Sequence, residues 1–154
     1  EIWYGAHGQY ETNAPFRTFI AYDFDGEPEI MASYTCKPLV RIPVAKLTPG
    51  AKVMGVTIAE LGNMNRPLDM IAYRKDGSDY ILMANSNRGV MKVHADNLSG
   101  YGAITHKIAA THGVPYDTIA ELQGVRRLDR LDEGSALAMV AAGDALSLVT
   151  IALP

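Results

Sequence analysis

Two stretches that align without a gap decide the fold: IAYDFDGEPEIM at residues 20–31 and IAYRKDGSDYIL at residues 71–82. Each consists of an apolar run, an Asp-Gly pair and a second run that ends in apolar residues. Asp-Gly between such runs is typical of a tight β-hairpin turn. Conservative matches continue beyond both stretches, so we predict antiparallel strands that repeat at a spacing of 51 residues.

A pentapeptide repeat extends this pattern along the chain. Thr-Ile-Ala-Glu-Leu occurs at 57–61 and again at 118–122. The first copy is predicted as a strand. The second is predicted as a strand or, because a proline and an aspartate precede it, as a short helix. A third and weaker copy of the hairpin pattern covers 125–153, where the Ala-rich segment 136–142 is predicted as a strand because turn signals flank it.

Repeats of about 50–60 residues that each form a four-stranded antiparallel sheet resemble the blades of β-propellers, of the lactonase-like, quinoprotein-like and NHL-like type. The resemblance implies one all-β segment, 1–154, with about three four-stranded blades at 16–61, 67–122 and 125–154. Residues 1–5 would be the outer strand of a preceding blade. Propellers typically have about 4–8 blades, so a larger ring of about six to eight blades is also implied.

Three blades leave two sheet faces open, so the predicted ring needs partners. The remaining blades come either from a second chain, of which this one is the C-terminal half, or from a symmetric copy in a homodimer. A self-sufficient three-sheet monomer is the third alternative. The chain starts at Glu1 without Met, as expected after loss of an export signal or of a longer precursor, and export favours a periplasmic or secreted protein.

Composition excludes several other classes of protein. Hydrophobic residues make up 48% of the chain and charged residues 20%, which excludes a disordered tail. The net charge of −3, from 14 Lys and Arg against 17 Asp and Glu, disfavours nucleic-acid binding. No apolar run reaches the ~18 residues that span a membrane. The single cysteine, Cys36, excludes an intrachain disulfide.

The resemblance places ligands at one mouth of the propeller channel, where loops of several blades meet. Two sets of metal ligands are predicted in these loops. His7 and Glu11 offer nitrogen and oxygen, although His7 also suits a loop histidine that caps a turn or faces water. Asparagine oxygens suit calcium, which lactonase-like families bind at the mouth, although asparagine also stabilises turns by bonding its own chain. The asparagines are Asn63, Asn65, Asn85 and Asn87. The predicted cofactor is a divalent cation, calcium or a transition metal.

The predicted catalytic residues are His7, Cys36 and Arg88. Arg88 with Lys37 and Arg66 would clamp a carboxylate or phosphate, or would form a solvated rim. Cys36 is a nucleophile, a soft-metal ligand or a small buried side chain. The chain is therefore predicted to be part of a propeller enzyme, a hydrolase or an oxidoreductase, acting on a small polar substrate. The alternative is a non-catalytic binding propeller.

Two histidines of the long segment after the second repeat carry no such chemistry. His106 and His112 are predicted as surface residues in a loop without a regular pattern.

Overall fold

A computed structural model describes residues 1–36 and 38–154, and this part of the chain is all-β, as predicted. Its strands are β1 (Ile2–Tyr4), β2 (Gln9–Glu11), β3 (Phe16–Phe24), β4 (Glu27–Tyr34), β5 (Pro38–Pro43), β6 (Val56–Leu61), β7 (Pro67–Lys75), β8 (Ser78–Asn85), β9 (Val90–His94), β10 (Thr111–Gly113), β11 (Tyr116–Ile119), β12 (Val125–Arg130), β13 (Ser135–Ala142) and β14 (Ala145–Ala152). Two short 3-10 helices, Val44–Lys46 and Leu98–Gly100, interrupt the connections. Within the described ranges, no helix has the length and apolar character needed to cross a membrane.

The strands form four antiparallel sheets. β1 and β2 make an N-terminal hairpin, and the first sheet has the order β10-β6-β5-β4-β3. The second sheet has the order β11-β9-β8-β7, and the third has the order β12-β13-β14. The prediction of four strands is right for the second sheet and wrong for the first, which has five. In the third copy the sequence offers only three strands, at 125–131, 136–142 and 146–153, and three are described there.

The predicted repeat of 51 residues is visible in the strands themselves. β3 and β7 begin at Phe16 and Pro67, and β4 and β8 begin at Glu27 and Ser78, so both hairpins keep this spacing. Asp25 and Gly26 have φ of 54° and 88°, and Asp76 and Gly77 have φ of 52° and 86°. Two consecutive left-handed residues match the twist of paired strands, which explains why Asp-Gly stands at both turns.

The second pentapeptide copy is divided between a strand and a turn. β11 ends at Ile119, and the backbone N–H of Leu122 then donates to the Ile119 carbonyl at 3.2 Å. The helix that the sequence allowed at 118–122 is therefore wrong. The Ala-rich segment 136–142 lies in β13, which confirms the predicted strand.

The second sheet lies between the other two and is buried on both faces. Ile81 and Met83 of β8 pack towards the first sheet, and Leu82 and Ala84 pack towards the third. All four side chains are fully buried. A strand buried on both faces reads as a continuous apolar run. Burial of each large side chain contributes about 1.5–3 kcal/mol to folding, so β8 is the centre of the core.

A long connection between β9 and β11 returns to the first sheet. Its β10 pairs with β6, the N–H of Ile104 donates to the Thr57 carbonyl at 2.8 Å, and the N–H of Ile108 donates to the Gly5 carbonyl at 2.8 Å. Residues 95–115 are named the strap. His106 and His112 are exposed, as predicted, but His112 lies in β10, so the prediction of an irregular loop is wrong there.

The N-terminal hairpin covers part of the first sheet. Ile2 and Tyr4 pack on Ala32 and Val40, on the face that points away from the second sheet. β1 pairs with β2, a strand that the sequence did not predict. The interpretation of residues 1–5 as the outer strand of a preceding blade stays a prediction.

Candidate functional site: an arginine pocket

One edge strand of each large sheet, β3, β7 or β12, lies beside the next, with β7 between the other two. Each has a β-bulge near its first residue. The bulged residues are Arg17, Leu68 and Arg126. A bulge adds one residue to a strand and redirects its side chain, and bulges are frequent next to binding sites. Three bulges at the same end of three neighbouring strands point to a common site.

The bulged residues line one open concavity of about 370 Å³, named the arginine pocket. Its lining is Arg17, Arg66, Pro67, Leu68, Arg126 and Arg127. Four of the eight arginines of the chain therefore meet here, although the net charge of the whole chain is −3. In the part of the chain that the structure describes, no carboxylate lines the pocket. The site is consequently a local concentration of positive charge.

Two of the four guanidinium groups are held by the protein. Arg17 donates from Nε to Thr35 Oγ1 at 2.7 Å, and Arg127 donates from Nη1 to the Leu68 carbonyl at 3.1 Å. The other two, of Arg66 and Arg126, are exposed and make no side-chain hydrogen bond or ion pair with the described residues. A guanidinium offers five N–H donors, so this pocket has donors available for an external acceptor.

Asp69 follows the pocket-lining Leu68, and both of its carboxylate oxygens are engaged by backbone. Oδ1 accepts from the N–H of Met70 at 3.0 Å, and Oδ2 accepts from the N–H of Leu128 at 3.0 Å. The second bond joins β7 to β12. Asp69 therefore fixes the spacing of two strands that carry the arginines.

The predicted asparagines lie in two adjoining segments: loop 62–66, and residues 85–89, which consist of the last residue of β8 and the loop after it. Asn65 Oδ1 accepts from Ser86 Oγ at 3.3 Å and from the N–H of Asn87 at 3.1 Å. Asn87 Nδ2 donates to the Met64 carbonyl at 2.9 Å, and Asn85 Nδ2 donates to the Met83 carbonyl at 2.9 Å. These bonds favour the turn-stabilising interpretation of the asparagines.

The same loops position one arginine of the pocket. The N–H of Arg66 donates to Ser86 Oγ at 3.0 Å, and the N–H of Ser86 donates to the Arg66 carbonyl at 3.0 Å. Asn65 holds Ser86 in turn. The asparagine loops therefore support the backbone of Arg66 at the edge of the arginine pocket.

The hydrogen bonds of the asparagines give no support to a calcium site. Among their described side-chain atoms, Asn65 Nδ2 and Asn85 Oδ1 are buried without a hydrogen-bond partner, and only the second is an oxygen. Calcium takes about six to eight oxygens. Among the described residues there is also no group of three or more His, Cys, Asp or Glu that could hold a metal ion. The metal site stays a prediction, without support from this geometry.

Of the three predicted catalytic residues, His7 and Cys36 both lie beside Tyr4, whereas Arg88 is held by the loop at Asn63. His7 lies between β1 and β2, bonded through Nδ1 to Glu11 Oε1 and stacked on the Tyr4 ring at 4.3 Å. Cys36 is half-buried against the cluster that contains Tyr4. Arg88 donates to the Asn63 carbonyl at 2.9 Å. No hydrogen bond or ion pair among the described residues joins the three, and Lys37 lies outside the described residues.

Sequence reasoning missed Glu60, the one acidic residue of the first pentapeptide copy. Glu60 is buried in β6, and its Oε1 accepts from the N–H of Gly5 at 2.6 Å. Burial raises the pKa of Glu60 to about 7, against the lowering effect of the N–H groups of Gly5 and Ala6 and of nearby His7. Gly5 leaves room for this contact, because a Cβ there would lie 2.5 Å from Oε1. Glu60 therefore anchors the N-terminal hairpin to the first sheet.

No protein-family model, curated protein or solved structure matches this chain. What the arginine pocket can bind therefore follows from its own geometry and charge.

Proposed function

We propose that this chain forms consecutive blades of a β-propeller-type ring and binds a small anionic ligand, carrying a phosphoryl or carboxylate group, at the mouth of that ring. The stacking of three sheets with adjacent edge strands supports the ring. In such a ring the inner strands line the channel, so a pocket at one end of β3, β7 and β12 opens at its mouth.

The arginine pocket is the observation that carries the proposed ligand class. Arginine bonds carboxylate and phosphoryl oxygens through two parallel N–H groups, and these charge-assisted bonds are the stronger kind. The pocket holds four guanidinium groups, two of them without a described partner, and no described carboxylate lines it. Its volume of about 370 Å³ suits a small molecule.

The lining supports binding more directly than catalysis. Besides the arginines it contains Pro67 and Leu68, which add apolar contact. We therefore propose a binding propeller, the alternative that the sequence left open, ahead of a hydrolase or an oxidoreductase.

The test is isothermal titration calorimetry with inorganic phosphate, citrate and glycerol as probes. We expect the two anions to bind and glycerol not to bind. The double variant Arg66→Gln/Arg126→Gln should weaken anion binding at least about tenfold, because each charged hydrogen bond contributes about 1.5–3 kcal/mol. These two side chains have no described partner, so their loss leaves the fold intact.

Arg74→Gln is the matched control. Arg74 lies near the other end of β7, where it donates to the Gly77 carbonyl at 3.0 Å. The control should bind both anions like the unmodified protein. Equal binding by the double variant, or an equal loss in the control, would show that the arginine pocket is not the anion site.

A further inference from the structure

Each sheet of the stack has two distinct faces. The face that a sheet turns to the next sheet along the chain is named its leading face, and the opposite one its trailing face. Leucine, methionine and tyrosine side chains on the leading faces of the first two sheets are covered by the sheet that follows. Met31 of the first sheet and Leu82 of the second, 51 residues later, are both fully buried there.

The two contacts inside the stack also share a polar tie. Tyr22 donates its hydroxyl to the Ala95 carbonyl at 3.2 Å, and Tyr73, at the same place in the repeat, donates to the Pro154 carbonyl at 2.8 Å. Both acceptors follow the third strand of the next sheet. The stack is therefore built by repeating one sheet-to-sheet contact.

The leading face of the third sheet has no described cover. Ala136 and Ala138 of β13 pack on the second sheet, so Leu137 and Met139 point the other way. Leu148, paired with Met139, is 68% exposed, and Leu146 is 65% exposed. Four large apolar side chains thus stand on a face whose counterparts in the first two sheets are buried. Exposed apolar patches of this kind mark contact surfaces.

The trailing face of the first sheet is open in part. The N-terminal hairpin covers Ala32 of β4 and Val40 of β5 but leaves β3 and the first residues of β4 uncovered. An open apolar groove of about 340 Å³ lies there, and Phe19 beside it is 56% exposed. The groove is lined by Phe19, Ala21, Tyr22, Asp23, Pro28, Glu29, Ile30 and Val44.

We infer that the leading face of the third sheet packs on the trailing face of the first sheet of a second copy of this chain. Both contacts between the large sheets join a leading face to a trailing face, and among the described residues these are the two faces that no other large sheet covers. A second copy supplies both surfaces at once. Two such contacts related by a two-fold axis close a ring of six sheets, within the usual blade number of propellers.

This inference rests on the ring in the proposed function but not on anion binding. The first measurement is the mass of the purified chain in solution by light scattering coupled to gel filtration. We expect twice the chain mass of 16.7 kDa. A mass of 16.7 kDa at all concentrations would overturn the inference, and so would a stable complex with another protein in place of a second copy.

Charged substitutions on the two faces test how the copies meet. Leu148→Asp alters only the third sheet, and Phe19→Asp alters only the first. Both residues are exposed within one chain, so each variant should stay folded and become monomeric. Met64→Asp is the control, because Met64 is 85% exposed on a loop outside both faces. The control should remain a dimer.

A mixture of the two variants separates a head-to-tail contact from a symmetric one. Leu148→Asp keeps a normal first sheet and Phe19→Asp keeps a normal third sheet, so one intact contact forms between them. We expect the mixture to contain dimer that neither variant forms alone. If Phe19→Asp stays dimeric, or the mixture stays monomeric, the head-to-tail contact is wrong. Anion titration of the monomeric variants reports on the arginine pocket separately.

Discussion

Glu60 and Glu121 occupy the same place in the repeated pentapeptide but have different surroundings. Glu60 is buried in β6 under the N-terminal hairpin, whereas Glu121 is exposed in the turn after β11. Burial disfavours the charged form of a carboxyl group and so raises its pKa. For Glu60 this effect outweighs the lowering of the pKa by the two N–H groups that face it. The same residue therefore acts as an anchor in one copy and as a solvated side chain in the other.

The raised pKa of Glu60 makes stability depend on pH. The pKa is about 7 in the folded chain against an ordinary 4.5, so the folded state holds the proton more tightly. The contribution of Glu60 to the free energy of unfolding is complete below about pH 4.5 and is lost as the pH rises through about 7. We expect Glu60→Gln to abolish this loss of stability with rising pH. The measurement is the urea midpoint of unfolding at several pH values between about 4.5 and about 7.

Glu121→Gln provides the control for that measurement. Because Glu121 is exposed, its amide variant should follow the pH profile of the unmodified protein. A Glu60→Gln profile with the same slope as the unmodified protein would contradict the raised pKa.

At the scale of elements, the strap holds the first sheet through β10. Gly113 is paired with Ala59 of β6 and has a φ of 86°. A Cβ at this position would lie 2.1 Å from the Ile58 carbonyl oxygen. We expect Gly113→Ala to destabilise the chain by about 1–3 kcal/mol, from the left-handed backbone and the clash together, as measured by urea denaturation.

Gly102→Ala is the matched change within the strap. A Cβ on Gly102 meets no atom within 4 Å, so this variant should unfold within about 0.5 kcal/mol of the unmodified protein. Equal stability of the two variants would show that β10 does not hold the first sheet.

Local pattern predicted the hairpins but not the strap. Asp-Gly at 25–26 and 76–77 fixes the turn type, and an apolar run on each side indicates the strands, so both hairpins follow from neighbouring residues. β10 has three residues and forms a strand because β6 offers an open edge, which lies some 50 residues earlier in the chain. A strand that depends on a distant partner leaves no periodic signal of its own.

The arginine pocket was only partly predictable for a similar reason. Arg66 was singled out beside the asparagine loops, and a repeated Arg-x-Leu-Asp at 66–69 and 126–129 was a signal for Arg126. Nothing near Arg17 marks it. The pocket exists because three sheets stack and bring their bulged strands to one point, which residue spacing alone does not show.

For the whole molecule, the arginine pocket is a site of charge repulsion when no anion is bound. Like charges that share one cavity destabilise the folded state, as is common at functional sites. We expect Arg66→Gln/Arg126→Gln to raise the urea midpoint of unfolding slightly at low salt. The gain should shrink as salt rises, because the Debye length falls from about 10 Å at 0.1 M to about 3 Å at 1 M.

We expect no such gain in the urea midpoint for a variant outside the pocket. Arg74 is surrounded by two cations, Lys75 and Arg130, and by two carboxylates, Asp76 and Glu133, so its removal relieves little net repulsion. Arg74→Gln also loses the bond to Gly77, so its urea midpoint should stay level or fall. A lower midpoint for the double variant at low salt would mean that the arginines stabilise the fold directly.

The strap also determines the order in which the sheets are completed during synthesis. The first sheet is encoded first, yet its outer strand ends at Gly113, after β7, β8 and β9 have all been made. A growing chain therefore has the hairpin of the second sheet before it has a whole first sheet. Sequence separation favours the same order when the complete chain refolds, because β8 pairs with the adjacent β7 whereas β10 pairs with the distant β6. In refolding followed by pulsed hydrogen exchange, we expect the amides of β8 to gain protection before those that join β6 to β10.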